Sequence, residues 1–195
     1  MHQKGVCHRD LKPENVLLKH FDDVSRSRDD YRNFQVKIAD VGSSKILVKE
    51  KAKNTPYVVS RYYRAPEVIL GANHYTTSID IWSAGCIFFE LLTTTPLFNG
   101  DEEGLQIYEF ANILGPPAKE DVFYFSANCE TDVKSIFAEI KTQNKSPVFR
   151  ELLSINGRFS REEIDTATDL LIQCLKWDPR RRITAEKALE HEFFA

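Results

Sequence analysis

The order of apolar and polar residues predicts one strand and one long buried helix. Residues 34–39, Phe-Gln-Val-Lys-Ile-Ala, alternate apolar and polar side chains, which is the period of a half-buried strand that ends at Asp40. Ten of the fourteen residues at 79–92 are apolar. This run is shorter than the roughly 20 residues that cross a bilayer. It therefore predicts a helix that is buried on all sides.

Other spacing patterns predict three further helices in the second half of the chain. Residues 104–114 have the apolar spacing of a short helix, which a Gly-Pro-Pro sequence closes. The sequence Ser-Arg-Glu-Glu at 160–163 is typical of a helix start at which the serine and the second glutamate cap each other. Apolar residues follow it at helical spacing up to Leu175. A last helix is predicted over 185–191.

Two polar stretches predict long loops. Residues 19–30 carry charges of both signs without sustained periodicity, which predicts a solvated hairpin loop. Residues 42–60 place Lys, Ser, Asn, Thr and Pro between a few apolar residues and predict a second long loop. Loops of this length inside a compact domain are usually functional.

Composition and charge narrow the class of protein. The 195 residues are 42% hydrophobic and 28% charged, which is ordinary for a folded domain. The net charge of −3 favours neither nucleic acid nor an anionic membrane as a partner. The four cysteines are far apart in the sequence and form no C-x-x-C pair. We therefore expect reduced thiols in an intracellular protein of the cytoplasm, the nucleus or both.

Four polar side chains have the chemistry that phosphoryl transfer requires. Asp10, Lys12 and Asn15 lie within six residues of one another, and Asp40 ends the predicted strand. Catalysis of this reaction depends on positioning and on neutralising charge in a loose transition state. Carboxylate and amide oxygens suit a hard cation such as magnesium. Asp10 can orient a hydroxyl and take its proton, and Lys12 can neutralise charge on the phosphoryl group.

Three short sequences, in the same order, resemble the motifs of the protein kinases. They are His-Arg-Asp-Leu-Lys-Pro-Glu-Asn at 8–15, Asp-Val-Gly at 40–42 and Ala-Pro-Glu at 65–67. The resemblance covers essentially the whole chain and implies an α+β fold. That fold is the mainly helical C-lobe of a protein kinase, with a small β-hairpin that carries the catalytic and magnesium-binding loops.

The resemblance also implies how the chain is organised as a protein kinase domain over 1–195. Residues 8–15 would be the catalytic loop, 40–67 the activation segment and 76–195 the helical subdomain. The 195 residues contain no G-x-G-x-x-G sequence and no V-A-I-K strand. We therefore expect the C-terminal portion of the domain without its N-lobe. The four polar residues favour an enzyme, whereas the lack of an N-lobe favours a non-catalytic, pseudokinase-like scaffold.

In a kinase, Mg-ATP is the phosphoryl donor, and a lysine at position 12 is typical of the branch that phosphorylates Ser and Thr residues of proteins. The roles implied by the resemblance are catalysis by Asp10 and Lys12, magnesium binding by Asn15 and Asp40, and contact with the nucleotide by Asn15, Leu17, Ala39 and Asp40. Position 41 departs from the pattern, because it is valine where the family has phenylalanine. Because valine buries less apolar surface than phenylalanine, its burial there should contribute about 1–2 kcal/mol less to stability.

Three further residues match structural positions of the kinases. Asp80 resembles the helix aspartate that accepts hydrogen bonds from the backbone of the catalytic loop, and burial of its carboxylate requires such partners. Glu67 and Arg182 match a pair that forms a buried salt bridge. The neighbouring Arg180 and Arg181 can equally be a solvated basic patch.

Within the kinases, the chain resembles the CMGC group. Residues 57–67, with Arg64 immediately before Ala-Pro-Glu, are similar to that group, and residues 40–45 are similar to its glycogen synthase kinase-3 family. Residues 114–117 and 147–150 look like the same family. Against this, Thr-Pro-Tyr at 55–57 also has the T-x-Y spacing of a mitogen-activated kinase.

The glycogen synthase kinase-3 resemblance implies a site for a phosphate already present on the substrate. Arg9 and Lys45 match two of the three basic residues of that site, with Arg64 assigned to the same pocket, and Tyr57 matches an autophosphorylation site. Cationic groups that converge on one point bind phosphate well. Alternatively, Arg9 binds a phosphate on the chain's own activation segment, and Lys45 is a solvated surface charge.

A weaker prediction concerns partners. Residues 121–150 contain apolar side chains where glycogen synthase kinase-3 binds scaffold helices in a groove. These side chains can instead fill the core beneath a loop. The partners implied are thus protein substrates and a possible scaffold helix at 121–150, with neither nucleic acid nor a membrane.

Overall fold

The computed structural model describes residues 1–20, 33–47, 61–100, 103–140, 145–155 and 157–195. Within these ranges the chain is mostly helical, with two small antiparallel sheets in its first quarter. The predicted loop at 19–30 lies outside the described residues from residue 21 onward, as does the loop at 42–60 from residue 48 onward. The mainly helical architecture with a small strand content agrees with the predicted fold class.

The two sheets hold the first part of the chain together. One pairs β1 (Val6–Cys7) with β4 (Lys45–Ile46), and the other pairs β2 (Val16–His20) with β3 (Phe34–Ile38). In the second sheet Val16 lies opposite Ile38 and Leu18 lies opposite Val36. The β1–β4 pairing brings the residues before His8 against those that follow Asp40.

The predicted strand at 34–39 is present as β3, but the prediction that it is half-buried was wrong. Phe34, Val36 and Ile38 are 40%, 60% and 50% exposed, respectively. Side chains alternate between the two faces of a strand, so these three share one face of the hairpin. The described part of the chain leaves that face uncovered. The alternation shows which face is apolar but not whether another element packs on it.

Eight α-helices follow in the described part of the chain. They are α1 (Pro66–Ile69), α2 (Ser78–Thr93), α3 (Glu103–Leu114), α4 (Lys119–Asn128), α5 (Val133–Glu139), α6 (Phe149–Ser154), α7 (Arg161–Cys174) and α8 (Ala185–Leu189). The predicted helices at 79–92, 104–114, 160–175 and 185–191 are confirmed as α2, α3, α7 and α8. None of the described helices combines the length and the apolarity needed to cross a membrane.

Helix α2 is the centre of the core. The Trp82 ring stacks on Phe98 and meets Phe110 edge to face, with ring centroids 5.6 and 4.9 Å apart. A Cβ atom added at Gly85 would lie 2.9 Å from the Cβ of Cys174, so the glycine allows α2 and α7 to approach closely. One face of α2 is nevertheless open, because Leu91 is 75% exposed. The prediction of a helix buried on all sides was therefore wrong.

Helix α7 begins as its sequence predicts. The Ser160 hydroxyl accepts from the Glu163 backbone N–H at 3.2 Å, and a Glu163 carboxylate oxygen accepts from the Ser160 N–H at 2.7 Å. These bonds satisfy two of the donors that a helix start leaves unpaired. Apolar residues on one face of α7, among them Leu171, then pack against α2 and α6.

The region between α3 and α7 contains three helices that the sequence did not predict. Phe125 of α4 is fully buried, whereas Phe123 of the same helix is 77% exposed. Ile136 of α5 lines a cavity of about 280 Å³ together with Ile69 and Ile107. The apolar side chains of 121–150 thus divide between the core and the surface.

A buried ion pair joins α1 to the last third of the chain. The Arg182 guanidinium meets the Glu67 carboxylate through two N–O contacts of 2.7 Å, and both side chains are fully buried. Arg182 also donates to the backbone carbonyls of Lys176, Ser78 and Trp177 and lies over the Trp82 ring. These partners compensate for taking two charges out of water. Arg180 and Arg181, by contrast, are largely exposed.

Candidate active site

The turn at Pro13–Asn15 folds the loop at residues 8–15 back on Asp10. The Lys12 Nζ lies 3.2 Å from the Asp10 Oδ2. The Asn15 Nδ2 donates to the backbone carbonyl of Asp10 at 2.8 Å and contacts its Oδ2 at 3.3 Å. Asp10 and Asn15 are buried. The three polar side chains singled out in the sequence therefore form one cluster.

Asp40 is brought to this cluster by the backbone. The Ala39 N–H donates to the Asn15 carbonyl at 2.8 Å, so that the end of β3 lies beside the catalytic loop. Asp40 has a positive φ of 56° and an exposed side chain. Because the Asn15 Nδ2 is bound to Asp10, its Oδ1 is the atom of that amide suited to a cation. One carboxylate and one amide oxygen fit magnesium, which usually keeps several waters and substrate oxygens as its other ligands.

His8 fixes the position of Asp10 from within the core. Its Nε2 lies 2.9 Å from the Ala39 carbonyl oxygen, and the Asp10 backbone N–H donates to its Nδ1 at 3.3 Å. A carbonyl oxygen only accepts and a backbone N–H only donates, so Nε2 is the donor and Nδ1 the acceptor of these two bonds. The ring thus connects the catalytic loop to the residue that precedes Asp40.

Asp80 of α2 holds the backbone of the loop at residues 8–15. Its Oδ2 accepts from the His8 N–H at 2.7 Å, and its Oδ1 accepts from the Arg9 N–H at 2.9 Å. The His2 Nε2 lies 2.8 Å from the same Oδ2. Burial alone would raise the pKa of Asp80, but the hydrogen bonds from His2 and from the two backbone N–H groups keep its pKa below the usual value.

Arg9 connects three segments of the site. Its backbone has a positive φ of 72°, and its Nε donates to the carbonyl of Ser43, in the turn after Asp40. Its Nη1 donates to the Tyr75 hydroxyl at 3.1 Å. Lys45 pairs with Cys7 in the β1–β4 ladder, two residues before Arg9.

The remaining predicted residues have different environments. Arg64 is half-buried in another segment, after the turn Arg61–Tyr63, and Tyr57 lies outside the described residues. Leu17 is 51% exposed on β2, and Ala39 is half-buried beside Asp40. Val41, where the kinase pattern has a phenylalanine, is 61% exposed.

Two residues of the site, His2 and Tyr75, were missed in the sequence. His2 and Asp80 are 78 residues apart, and Arg9 and Tyr75 are 66 apart. Neither contact has a local signal in the sequence. Among the residues that the structure describes, no group of three or more His, Cys, Asp and Glu side chains is placed to hold a metal ion.

Comparison with known proteins identifies the class of the molecule. Residues 1–194 match the family model described as "Protein kinase domain". The chain therefore belongs to the protein kinase family. It is similar to "Protein kinase gsk3" of Schizosaccharomyces pombe, with 39% identity over 194 residues. The match takes in 100% of this chain and 44% of that relative, so the chain spans less than half of the relative's length. The resemblance to glycogen synthase kinase-3 is thereby confirmed.

Proposed function

We propose that the chain is the C-lobe of a serine/threonine protein kinase, which transfers the γ-phosphate of Mg-ATP to Ser and Thr residues of proteins. The observation that carries this proposal is the cluster of Asp10, Lys12 and Asn15, with Asp40 held beside it by the Ala39–Asn15 hydrogen bond. The similarity of the chain to "Protein kinase gsk3" supports the same reaction.

Each residue of the cluster has a role in this proposal. Asp10 orients the substrate hydroxyl and takes its proton, and its buried position between Lys12 and Asn15 fixes the carboxylate for that step. Lys12 neutralises charge on the phosphoryl group during its transfer.

Nucleotide binding by these residues is also a proposal. Asn15 and Asp40 would hold magnesium, which neutralises the phosphate oxygens of ATP when it is bound. Leu17 would line the floor of the adenine pocket and Ala39 the approach to Asp40, and the exposure of Leu17 agrees with its role. The phosphate-covering glycine loop and the strand lysine of a kinase are absent from the 195 residues. They would belong to an N-lobe outside this sequence.

We further propose that the enzyme prefers substrates that already carry a phosphate. Arg9 lies next to Asp10, and Lys45 pairs in the β1–β4 ladder with Cys7, which is two residues before Arg9. A guanidinium and an ammonium group near the catalytic carboxylate can bind a phosphate on the substrate. Arg64 is assigned to the same phosphate pocket by family resemblance alone. The assignment of Tyr57 as a regulatory phosphosite rests on the same resemblance.

A partner surface is proposed in the region 121–150. The exposed Phe123 and the cavity of about 280 Å³ beside Ile136 support a site for an apolar helix.

An intracellular location, in the cytoplasm, the nucleus or both, is proposed with this function. Four free cysteines, three of them buried, support it.

The test is phosphorylation by the full-length protein of three peptides that differ only in having Ser, Thr or Tyr as acceptor. We expect phosphate on Ser and Thr, and we expect Asp40→Asn to raise the magnesium concentration needed for half-maximal rate at least tenfold. Glu162→Gln, a change of an exposed carboxylate on α7, is the control and should leave the requirement unchanged. Phosphate on Tyr alone, or an unchanged magnesium requirement in Asp40→Asn, would contradict the proposal.

A further inference from the structure

Arg9 is held by the same short stretch of chain at both its backbone and its side chain. The Arg9 backbone N–H donates to Asp80 at 2.9 Å, and its Nη1 donates to the Tyr75 hydroxyl at 3.1 Å. Tyr75 lies just before α2, and Asp80 lies in its first turn. The start of α2 therefore sets both where Arg9 lies and which way its guanidinium faces.

The bonds of Arg9 fix the plane of the guanidinium. Its Nε donates to the Ser43 carbonyl, and its Nη1 donates to the Tyr75 hydroxyl. The two donors belong to one rigid planar group, so acceptors on two different nitrogens determine its orientation. Of these two acceptors, the Ser43 carbonyl is main chain, whereas the Tyr75 hydroxyl is a side-chain group that substitution can remove alone.

Tyr75 is itself well anchored. Its half-buried ring packs against the core, and the next residue, Thr76, offers its carbonyl to the Cys7 thiol at 3.9 Å. The segment before α2 is thus attached to the chain leading into the catalytic loop at Cys7 as well as at Arg9. A hydroxyl on an anchored ring is a fixed acceptor, so Arg9 has little freedom to turn away from it.

The backbone conformation of Arg9 depends on these contacts. A non-glycine residue with φ of 72° is strained, and such conformations persist only where the surroundings impose them. The Asp80 carboxylate accepts from the Arg9 backbone N–H and so imposes this backbone conformation. The Tyr75 hydroxyl in turn holds the Arg9 side chain.

We propose that Tyr75 is a positioning residue of the active site, whose hydroxyl orients the Arg9 guanidinium for binding a phosphate group on the substrate. The choice of ligand rests on the proposed function, in which Arg9 binds that phosphate. Tyr75 acts through Arg9 and does not touch the reacting atoms.

The first test is a double-mutant cycle on the unfolding equilibrium of the protein, which requires no activity. Tyr75→Phe keeps the ring and removes the acceptor, and it should raise the unfolding constant at least tenfold, as expected for one hydrogen bond to a charged group. In an Arg9→Ala background the same change should raise it less than twofold. Tyr108→Phe removes an exposed hydroxyl that bonds to Glu139, and its effect should be equal in both backgrounds.

The second test is kinetic, on the full-length enzyme with a peptide pair that differs only in a phosphoserine four residues C-terminal to the target serine. Tyr75→Phe should raise KM for the phosphorylated peptide about five- to tenfold with kcat changed less than twofold. Its kcat/KM for the other peptide should stay within twofold of wild type. Tyr108→Phe should leave both peptides unaffected.

The outcomes separate this proposal from the proposed function. Equal effects of Tyr75→Phe in the two backgrounds would overturn the positioning role, whatever the kinetics show. Coupling between the two residues, with a wild-type enzyme that does not distinguish the peptides, would support the positioning of Arg9 and refute the preference for phosphorylated substrates. If the wild type does prefer the phosphorylated peptide, an unchanged preference in Tyr75→Phe would overturn the proposal.

Discussion

The helical part of the molecule, residues 61–195, and the strand-bearing part, residues 1–47, are stabilised in different ways. The helical part has an aromatic core around Trp82, Phe110 and Phe125. In the described portion of the strand-bearing part, five of the six buried residues are polar; the six are Cys7, His8, Asp10, Asn15, Asn33 and Ser43. Apolar residues of β3, by contrast, are exposed.

This difference shows how the cluster of Asp10, Lys12 and Asn15 is positioned. The loop at residues 8–15 is positioned by hydrogen bonds to Asp80 of α2 and to the Ala39 backbone rather than by an apolar core of its own. Such bonds are directional, so they can place Asp10 within a narrow range of positions. The helical part provides the stability on which this placement depends.

The largest effect on stability is expected at the buried ion pair of the helical part. Arg182→Met leaves the Glu67 carboxylate buried without its partner, which should lower the free energy of unfolding by about 3–5 kcal/mol. Denaturant titration would measure the loss. The double change Glu67→Leu/Arg182→Met should lose much less, because no unpaired charge remains.

Arg181→Met is the matched control for this prediction. Arg181 is 59% exposed and lies 3.9 Å from Asp121, so its loss should cost less than about 1 kcal/mol. Equal losses for Arg181→Met and Arg182→Met would show that burial of the Glu67–Arg182 pair does not matter.

A smaller loss is expected where the two parts meet. Asp80→Asn replaces a charged acceptor of backbone N–H groups and should cost about 1.5–3 kcal/mol. The pKa of Asp80 is lower in the folded protein than its usual value of about 3.9. The stability it contributes is therefore present above pH 4 and is lost as the pH falls through the folded-state pKa.

The lowered pKa of Asp80 predicts how the effect of Asp80→Asn on stability depends on pH. The difference in unfolding free energy between wild type and Asp80→Asn should shrink from pH 4 to 2. Denaturant titrations at each pH would measure it. A difference that grows between pH 4 and pH 2 would mean that Asp80 is not held in its charged form.

The capping pair of α7 should have a lesser effect that stays within the helical part. Ser160→Ala removes the acceptor for the Glu163 N–H and should cost about 1 kcal/mol. Thermal unfolding would measure this, and hydrogen exchange at His8 and Arg9 should be unchanged under native conditions. Ser154→Ala, at an exposed serine of α6, is the control and should be close to neutral.

The smallest effect is expected on the open face of the hairpin. Val36→Thr should change the free energy of unfolding by less than about 0.5 kcal/mol, because Val36 is 60% exposed. Leu171→Ala, in the core between α2 and α7, should cost about 2–5 kcal/mol and is the reference. A large loss in Val36→Thr would indicate that this face is covered in solution.

The same contrast explains how much the sequence could predict. The motifs at 8–15 and 40–42 were found because their residues are close together in the chain, and α7 was found because its cap and its periodicity agree. The two-residue strands β1 and β4 are too short for any period to appear. Helices α4, α5 and α6 are short, and their apolar residues divide between core and surface, which obscures the helical pattern.

Long-range contacts made the rest of the site unpredictable. Nothing near His2 or Tyr75 in the sequence indicates that they bind Asp80 and Arg9, because the fold alone brings these residues together. The burial of β3 was misjudged for a related reason. A period of two shows that a face is apolar, but packing on that face depends on distant segments.

The most direct test of the site is the rate of phosphate transfer by the full-length protein carrying Asp10→Asn, measured together with its affinity for Mg-ATP. Loss of the positioned base should lower kcat by about 10²–10⁴-fold and leave nucleotide affinity within threefold of wild type. Glu14→Gln, at an exposed carboxylate of the same loop, is the control and should retain the wild-type rate. A near wild-type rate in Asp10→Asn would show that the Asp10 cluster is not the catalytic centre.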